Sequence, residues 1–442
     1  MAFDRANWKR QMFLLSLALS FAISGCDAGN RDMWDNVDGR PNSSDWLGAE
    51  EQPYSGPEIP RLAWGSIPEQ FTSVERFKEL KDAGLSHHFH YYYSSADEAA
   101  KALDAAKEAG IKVILTCPEL GTNPEDIVKR FMSHPALEAY FIKDEPKDKQ
   151  TFVTAGSLAD RIRAVDKSHF CYLNLMPGGK TNTVSGTPYA TYLDWYAEYF
   201  KPEIVSFDNY SISIDKSTGK ITVRPDWYDN LECISEFSGN IGKPFWAFAL
   251  AVSHIIPSKT YPEPTIEHLR LQAYSNLAYG AQGIQYFTFW TPKTNNENPE
   301  DGREHYYTGP ILPDGKKTKI YDLVKTVNEE IKNLSFVFYG SKVKWVRHVG
   351  IDSQHMITAL TNELNSTPIR ELRGLEGGIL VSLHEKRDKQ YLVIVNYELR
   401  VNPLQIETKS PVTRILKSGD ATAAEKELAM LPGDVAIYTW EK

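Results

Sequence analysis

Eight times between residues 61 and 290 a short apolar run gives way to a polar or amphipathic stretch, and that repetition points to a parallel α/β architecture. The expected strands are 62–67, 86–93, 112–117, 139–143, 170–175, 204–210, 245–251 and 283–290. Helical stretches between them include 73–83, 96–109, 154–165, 189–200, 227–238 and 265–279, and Gly84 and Gly110 stand where helix C-caps belong. A doubly wound sheet is the rival arrangement, but no GxGxxG or P-loop opens any helix. Eight units in about 270 residues match a (β/α)8 TIM barrel, assigned to residues 58–338. Beyond a helical segment at 321–334 the pattern changes to alternating strands at 378–384, 391–397 and 435–440, separated by turns. This predicts a small C-terminal antiparallel β-sandwich over 340–442, packed against the barrel.

The N-terminus carries a different signal. Arg5, Lys9 and Arg10 precede an apolar run at 12–23 that is too short for an ordinary membrane-spanning helix and reads as a secretion signal. It ends in Ile23-Ser24-Gly25-Cys26, which resembles a bacterial lipobox. Residues 1–25 are therefore expected to be a lipoprotein signal peptide, with Cys26 lipidated. Residues 26–57 are polar and rich in Gly, Pro, Ser and Asn, as suits a tether. The expected location is the bacterial cell envelope, periplasmic or outer-surface, with the membrane reached through the lipid anchor only. Cys117, Cys171 and Cys233 are an odd set without CxxC spacing and read as buried thiols. The net charge is −9 with scattered Lys and Arg, so no nucleic-acid surface is expected.

In a barrel of this kind chemistry lies at the C-terminal strand ends. Those ends are polar here although the strands are apolar. The first ends near Trp64, the second in His88, His90, Tyr91 and Tyr92, and the third in Cys117-Pro118-Glu119. Asp144-Glu145 closes the fourth, Asn174 the fifth, Asp208-Asn209-Tyr210 the sixth and Trp290 the eighth. Carboxylates ringed by Trp, Tyr, His and Asn suit a carbohydrate, whose C–H faces lie on aromatic rings while its hydroxyls pair with carboxylates and amides. The sugar-contacting candidates are Trp64, His88, His90, Tyr92, Glu119, Asn174, Tyr210 and Trp290. An adjacent Asp-Glu pair often does no more than cap a helix. At the end of the fourth of eight strands it is a candidate for catalysis, with Glu145 as general acid, its pKa raised by desolvation and by Asp144. His88 and His90 form an HxH pair of the kind that binds zinc, but zinc needs three or four ligands and only two can be placed, so neither metal nor cofactor is expected.

The strand-four motif Lys143-Asp144-Glu145-Pro146 resembles the acid/base position of the large barrel glycoside hydrolase clan that includes the family 42 β-galactosidases. Tyr172-Leu-Asn-Leu175, Val205-Ser-Phe-Asp-Asn-Tyr210, Lys243-Pro-Phe-Trp-Ala-Phe248 and Leu277-Ala-Tyr-Gly-Ala281 are similar to lipoprotein glycosidase-like proteins of Bacteroidota-type bacteria. Leu431-Pro-Gly-Asp-Val-Ala-Ile-Tyr438 resembles the last strand of the β-sandwich often attached to such barrels. The resemblance implies a glycosidase, retaining or inverting. It also implies a nucleophilic Glu at the end of strand seven, where this chain reads Phe245-Trp-Ala-Phe-Ala-Leu-Ala-Val-Ser-His254 with no carboxylate. Three readings follow. Asp208 could act as a base that activates water, with the two carboxyls about 6.5–9.5 Å apart as inversion requires. Glu263 or Glu267 could fold back as a nucleophile. Or the chain is a non-catalytic glycan-binding lipoprotein. A second carboxylate within about 10 Å of Glu145 discriminates, since its absence favours binding.

Overall fold

The computed structural model describes residues 57–294, 303–350, 360 and 362–442. The expected signal, Cys26 and the tether up to residue 56 lie outside them. Strands Arg61–Trp64, His87–Phe89, Lys112–Leu115, Leu137–Asp144, Phe170–Leu175, Val205–Phe207, Phe245–Leu250 and Gly283–Phe287 pair in parallel in chain order. The first closes onto the eighth, with Leu62 level with His87 on one side and Gln285 on the other. Inward residues including Leu62, Trp64, Phe89, Ile114, Tyr172 and Phe248 form one buried cluster. Each such side chain removed from water contributes roughly 1.5–3 kcal/mol before conformational entropy is charged against it.

Helices run back between the strands, and short polar side chains define where they start. Ser73, Ser95, Asp148 and Thr265 each accept a hydrogen bond from the backbone N–H three residues on, at the head of Val74–Asp82, Ala96–Ala109, Lys149–Val165 and Ile266–Ala278. The expected caps at Gly84 and Gly110 are left-handed, with φ of 72° and 67°. Cys117, Cys171 and Cys233 are buried free thiols, as read from their spacing. No helix among the described residues is long and apolar enough to cross a membrane.

After the helix Lys319–Asn333 the chain builds a six-stranded and a three-stranded antiparallel sheet. Their inner faces meet through Ile379, Val381, Leu392, Ile394 and Tyr438 from one and Ile369, Leu372, Leu404, Ile406 and Met430 from the other. This β-sandwich sits on the last barrel helices. His384 Nε2 lies 3.2 Å from the Ala278 carbonyl and His348 Nε2 lies 3.0 Å from the Tyr279 hydroxyl. The Leu431-Pro-Gly-Asp turn presses on helix Ile266–Ala278 so closely that a Cβ on Gly433 would stand 2.3 Å from the Glu267 carbonyl oxygen, at a φ of 70°.

Six barrel strands stop earlier than expected, three of them with consequences for the rim. The second ends at Phe89, the sixth at Phe207 and the eighth at Phe287, so the polar residues beyond them belong to loops rather than to the barrel wall. Those after the last three strands assemble a further antiparallel sheet, in the order Ile221–Val223, Ile212–Ile214, Lys259–Tyr261, His254–Ile256 and His305–Tyr306. It contributes side chains to the cleft at the barrel mouth.

Candidate active site

That cleft holds about 660 Å³. Its floor is positioned by a hydrogen-bonded column inside the barrel. The Tyr172 hydroxyl donates to Gln285 Oε1, Gln285 Nε2 donates to Ser206 Oγ at 3.0 Å, and Ser206 Oγ donates to Asn174 Oδ1 at 2.8 Å. With its oxygen so engaged, the Asn174 amide must turn its nitrogen upward, where it donates to Asp144 Oδ1 at 3.1 Å and Asp208 Oδ1 at 3.2 Å. One buried amide thus sets the positions of carboxylates from strands four and six.

Glu145 stands beside them. Its N–H donates to the Asn174 carbonyl at 2.9 Å, extending the strand ladder by one residue, while its φ is +44°. A non-glycine residue there costs about 1–2 kcal/mol, and such outliers gather at functional sites. The bend turns the Glu145 side chain into the same cleft as that of Asp144 instead of onto the opposite strand face. The Glu145 and Asp208 carboxyl groups hydrogen-bond each other.

Burial, then the charge of Asp144, raises the Glu145 carboxyl, and the bond to Asp208 works against that rise. Asp208 is pushed well above the usual carboxylate range by burial, then by Glu145 and Asp144. Asp144 is raised by burial, with the Asn174 hydrogen bond and Lys143 pulling the other way. Glu145 and Asp208 therefore titrate as one pair that keeps a proton to higher pH than a free carboxylate would. The two carboxyls thus lie close together in the resting cleft.

The cleft gathers most of the residues singled out above. Trp64, His90, Tyr92, Asp144, Glu145, Asn174, Asp208, Tyr210 and Trp290 line it. Trp64 packs edge-on to Tyr91 and Phe248 at 5.6 and 5.0 Å, and Tyr210 stacks on Phe287 at 5.5 Å. Tyr92 is 79% exposed at the rim.

Two candidates are misplaced. His88 is fully buried in the helix layer, edge-on to Phe77 at 4.8 Å with its Nε2 2.8 Å from the Tyr93 hydroxyl. The strand carrying it points alternate residues inward and outward, and His88 falls on the outward set. Glu119 opens the short helix Pro118–Thr122 and does not line the cleft. The alternative nucleophiles also fall outside it. Glu263 pairs with Lys319 at 2.6 Å, and Glu267 occupies the first turn of helix Ile266–Ala278. Among the described residues no three His, Cys, Asp or Glu side chains converge to hold a metal.

Sequence reasoning missed the contribution of the sheet at the mouth, which brings in Arg224, His254, Lys259, Tyr261, Glu304 and Tyr306. His254 is stacked between Tyr261 and Tyr306, at 4.4 and 5.2 Å. The Tyr306 hydroxyl donates to Glu304 Oε2, and the Glu304 charge adds to the upward push on Glu145.

Residues 147–334 match the Glyco_hydro_42 family, described as beta-galactosidase; the matched span includes Asp208 and begins two residues after Glu145. None of the curated proteins gives a significant match. Among solved structures, a catalytic mutant of a GH42 beta-galactosidase from G. stearothermophilus is similar over 88% of this chain and 99% of that one, with a TM-score of 0.57 at 9% identity. The beta-galactosidase from Bacillus circulans sp. alkalophilus is similar over 87% and 99%, with a TM-score of 0.59 at 9% identity. Against the beta-galactosidase from the psychrophilic Marinomonas ef1 the figures are 63% and 60%, 0.46 and 12%, so this chain spans three fifths of that protein's length. At these identities the likeness is one of fold, a closed barrel followed by antiparallel β-sheets.

Proposed function

We propose that the protein is a glycoside hydrolase whose working groups are the Glu145 and Asp208 carboxyls. The observation that carries this is that the two carboxyls come together at the barrel mouth, Asp208 held on the Asn174 amide and both within an aromatic-walled cleft. A pair that keeps a proton to higher pH than a free carboxylate has what glycoside cleavage needs, a proton for the departing oxygen and a carboxylate for the water that replaces it.

Glu145 is the general acid. It sits at the end of a bent strand, and its longer side chain can take the shared proton from Asp208 and turn with it toward a glycosidic oxygen. Asp208, held by Asn174 and by the Tyr210 hydroxyl at 3.4 Å, then remains ionised as the base that draws a proton from water. Asp144 keeps the Glu145 proton affinity high by its charge. Separation of the pair by the entering sugar opens the gap that water attack with inversion requires. Tyr92 supplies an exposed ring face for the sugar and His90 a polar contact, while Trp64, Tyr210 and Trp290 form the buried wall behind them.

Asp208 is also the second carboxylate whose absence would have favoured a binding-only protein. The β-galactosidase resemblance supports the reaction class and leaves the sugar open. The lipobox-like Cys26 supports a lipid-anchored enzyme of the cell envelope. The test is a panel of plant and host glycans with reducing-sugar release as readout. Release by the native protein, abolished in the Glu145→Gln, Asp208→Asn double variant, is expected. Equal release by both, or binding without release by either, contradicts it.

A further inference from the structure

The mouth sheet brings positive charge to a cleft otherwise dominated by carboxylates. In the hairpin His254–Ile256 and Lys259–Tyr261, His254 pairs with Tyr261 and Ile256 with Lys259. Strand alternation puts all four on one face, and all four line the cleft. Lys259 is half-buried there, between an aliphatic and an aromatic neighbour, and among the described residues its ammonium makes no hydrogen bond or ion pair. Long cationic side chains ordinarily carry their ammonium out to water. Burial, then the adjacent Arg224 charge, depresses the Lys259 ammonium below the ordinary lysine value.

The buried Arg224 guanidinium is already committed. It donates to Asn209 Oδ1 at 3.1 Å, to the Tyr210 carbonyl at 2.9 Å and to both Asp226 oxygens. Among the described residues Asp226 is the carboxylate that bears on the Lys259 ammonium, and Arg224 already holds both of its oxygens. The Arg224 anchors follow Asp208 directly in the chain, and Tyr261 stands edge-on to Tyr210 at 5.7 Å. Lys259 and Arg224 thus line the same cleft as the reacting pair.

Resting on the glycosidase reading, we propose that Lys259, with Arg224 and Tyr261 beside it, forms a subsite for an oxyanion carried by the sugar, a uronate carboxylate or a sulfate ester. The anion supplies the acceptor that Lys259 lacks and offsets the repulsion from Arg224.

The test is calorimetric titration of the native protein with galactose, galacturonate and galactose 6-sulfate, and with the three corresponding glucose derivatives. One charge-assisted hydrogen bond gives an anionic sugar an advantage of about ten- to a hundredfold in Kd over its neutral parent. Raised ionic strength shrinks that ratio, and Lys259→Gln brings it close to one. A carboxylate preference or a sulfate preference identifies which oxyanion the subsite takes. Neutral and anionic sugars bound equally well would overturn the subsite while leaving the glycosidase reading intact. An anionic preference that survives both Lys259→Gln and Lys259→Met would also overturn it. No binding of any of the six would count against both.

Discussion

Removing the Asn174 side chain gives the sharpest prediction about how the site is tuned. In Asn174→Ala the Asp144 and Asp208 carboxylates each lose a donor at 3.1 and 3.2 Å. A hydrogen bond to a charged group contributes about 1.5–3 kcal/mol, and lengths at the long end of the range argue for the lower figure. One pKa unit corresponds to about 1.4 kcal/mol, so each carboxylate should rise by about one unit. The donors favour the ionised forms, so their loss makes deprotonation harder. The acid limb of the kcat/KM profile, which reports ionisation of the base in the free enzyme, should therefore move to higher pH by about one unit. Ser206→Ala frees the Asn174 amide to turn without removing it and should move the limb the same way by less. The assay is kcat/KM against pH on whichever glycoside the panel identifies, with circular dichroism to verify the fold. An acid limb that stays fixed or moves to lower pH in a folded Asn174→Ala protein would refute the claim that this amide holds the pair.

Asp208→Asn should abolish turnover yet stabilise the protein. The Asp208 carboxyl is raised in the fold, so its proton stabilises the native state and that stability is lost as pH rises from the unfolded value of about 4 through the folded one. The variant should melt a few degrees above the native protein at neutral pH, on a scale of roughly 2–4 °C per kcal/mol, and the gap should close as pH falls toward 4; a lower melting point at neutral pH contradicts this. Gly433→Ala forces a left-handed alanine into the Glu267 carbonyl and should cost about 2 kcal/mol or more in denaturant melts, where an unchanged midpoint would disprove the close packing. Cys26→Ala should release the protein from membranes or block its processing, and unchanged membrane attachment would defeat the lipid-anchor proposal.

The barrel was legible because each of its units is long enough to show its own period. Helix Ala96–Ala109 falls on the residues where periodicity put it. Helix Lys149–Val165 begins five residues before the expected start, because its first turn follows the Asp148 cap and carries little apolar periodicity. Asp144, Glu145 and Asp208 could be singled out because carboxylates end apolar runs at the barrel rim. Their contact could not, since it depends on the left-handed backbone at Glu145 and on the turn of one amide. His88 shows the opposite error. A polar residue near a strand end suggests a side chain at the mouth, whereas strand alternation sends it into the helix layer. The sheet at the mouth was unreadable because its strands are two or three residues long and its partners lie on three separate loops.

The most direct test of the central claim compares Glu145→Gln on two classes of glycoside, one with an alkoxide-like leaving group and one with an activated aryl leaving group. Glutamine keeps the shape of the side chain and removes the proton it delivers. Turnover of the unactivated substrate should fall on the order of 10²–10⁴-fold, the usual worth of general acid catalysis, while the aryl glycoside, which needs little protonation, should lose far less. Equal losses on both substrates, or a selective loss found only in Asp144→Asn, would show that Glu145 is not the proton donor.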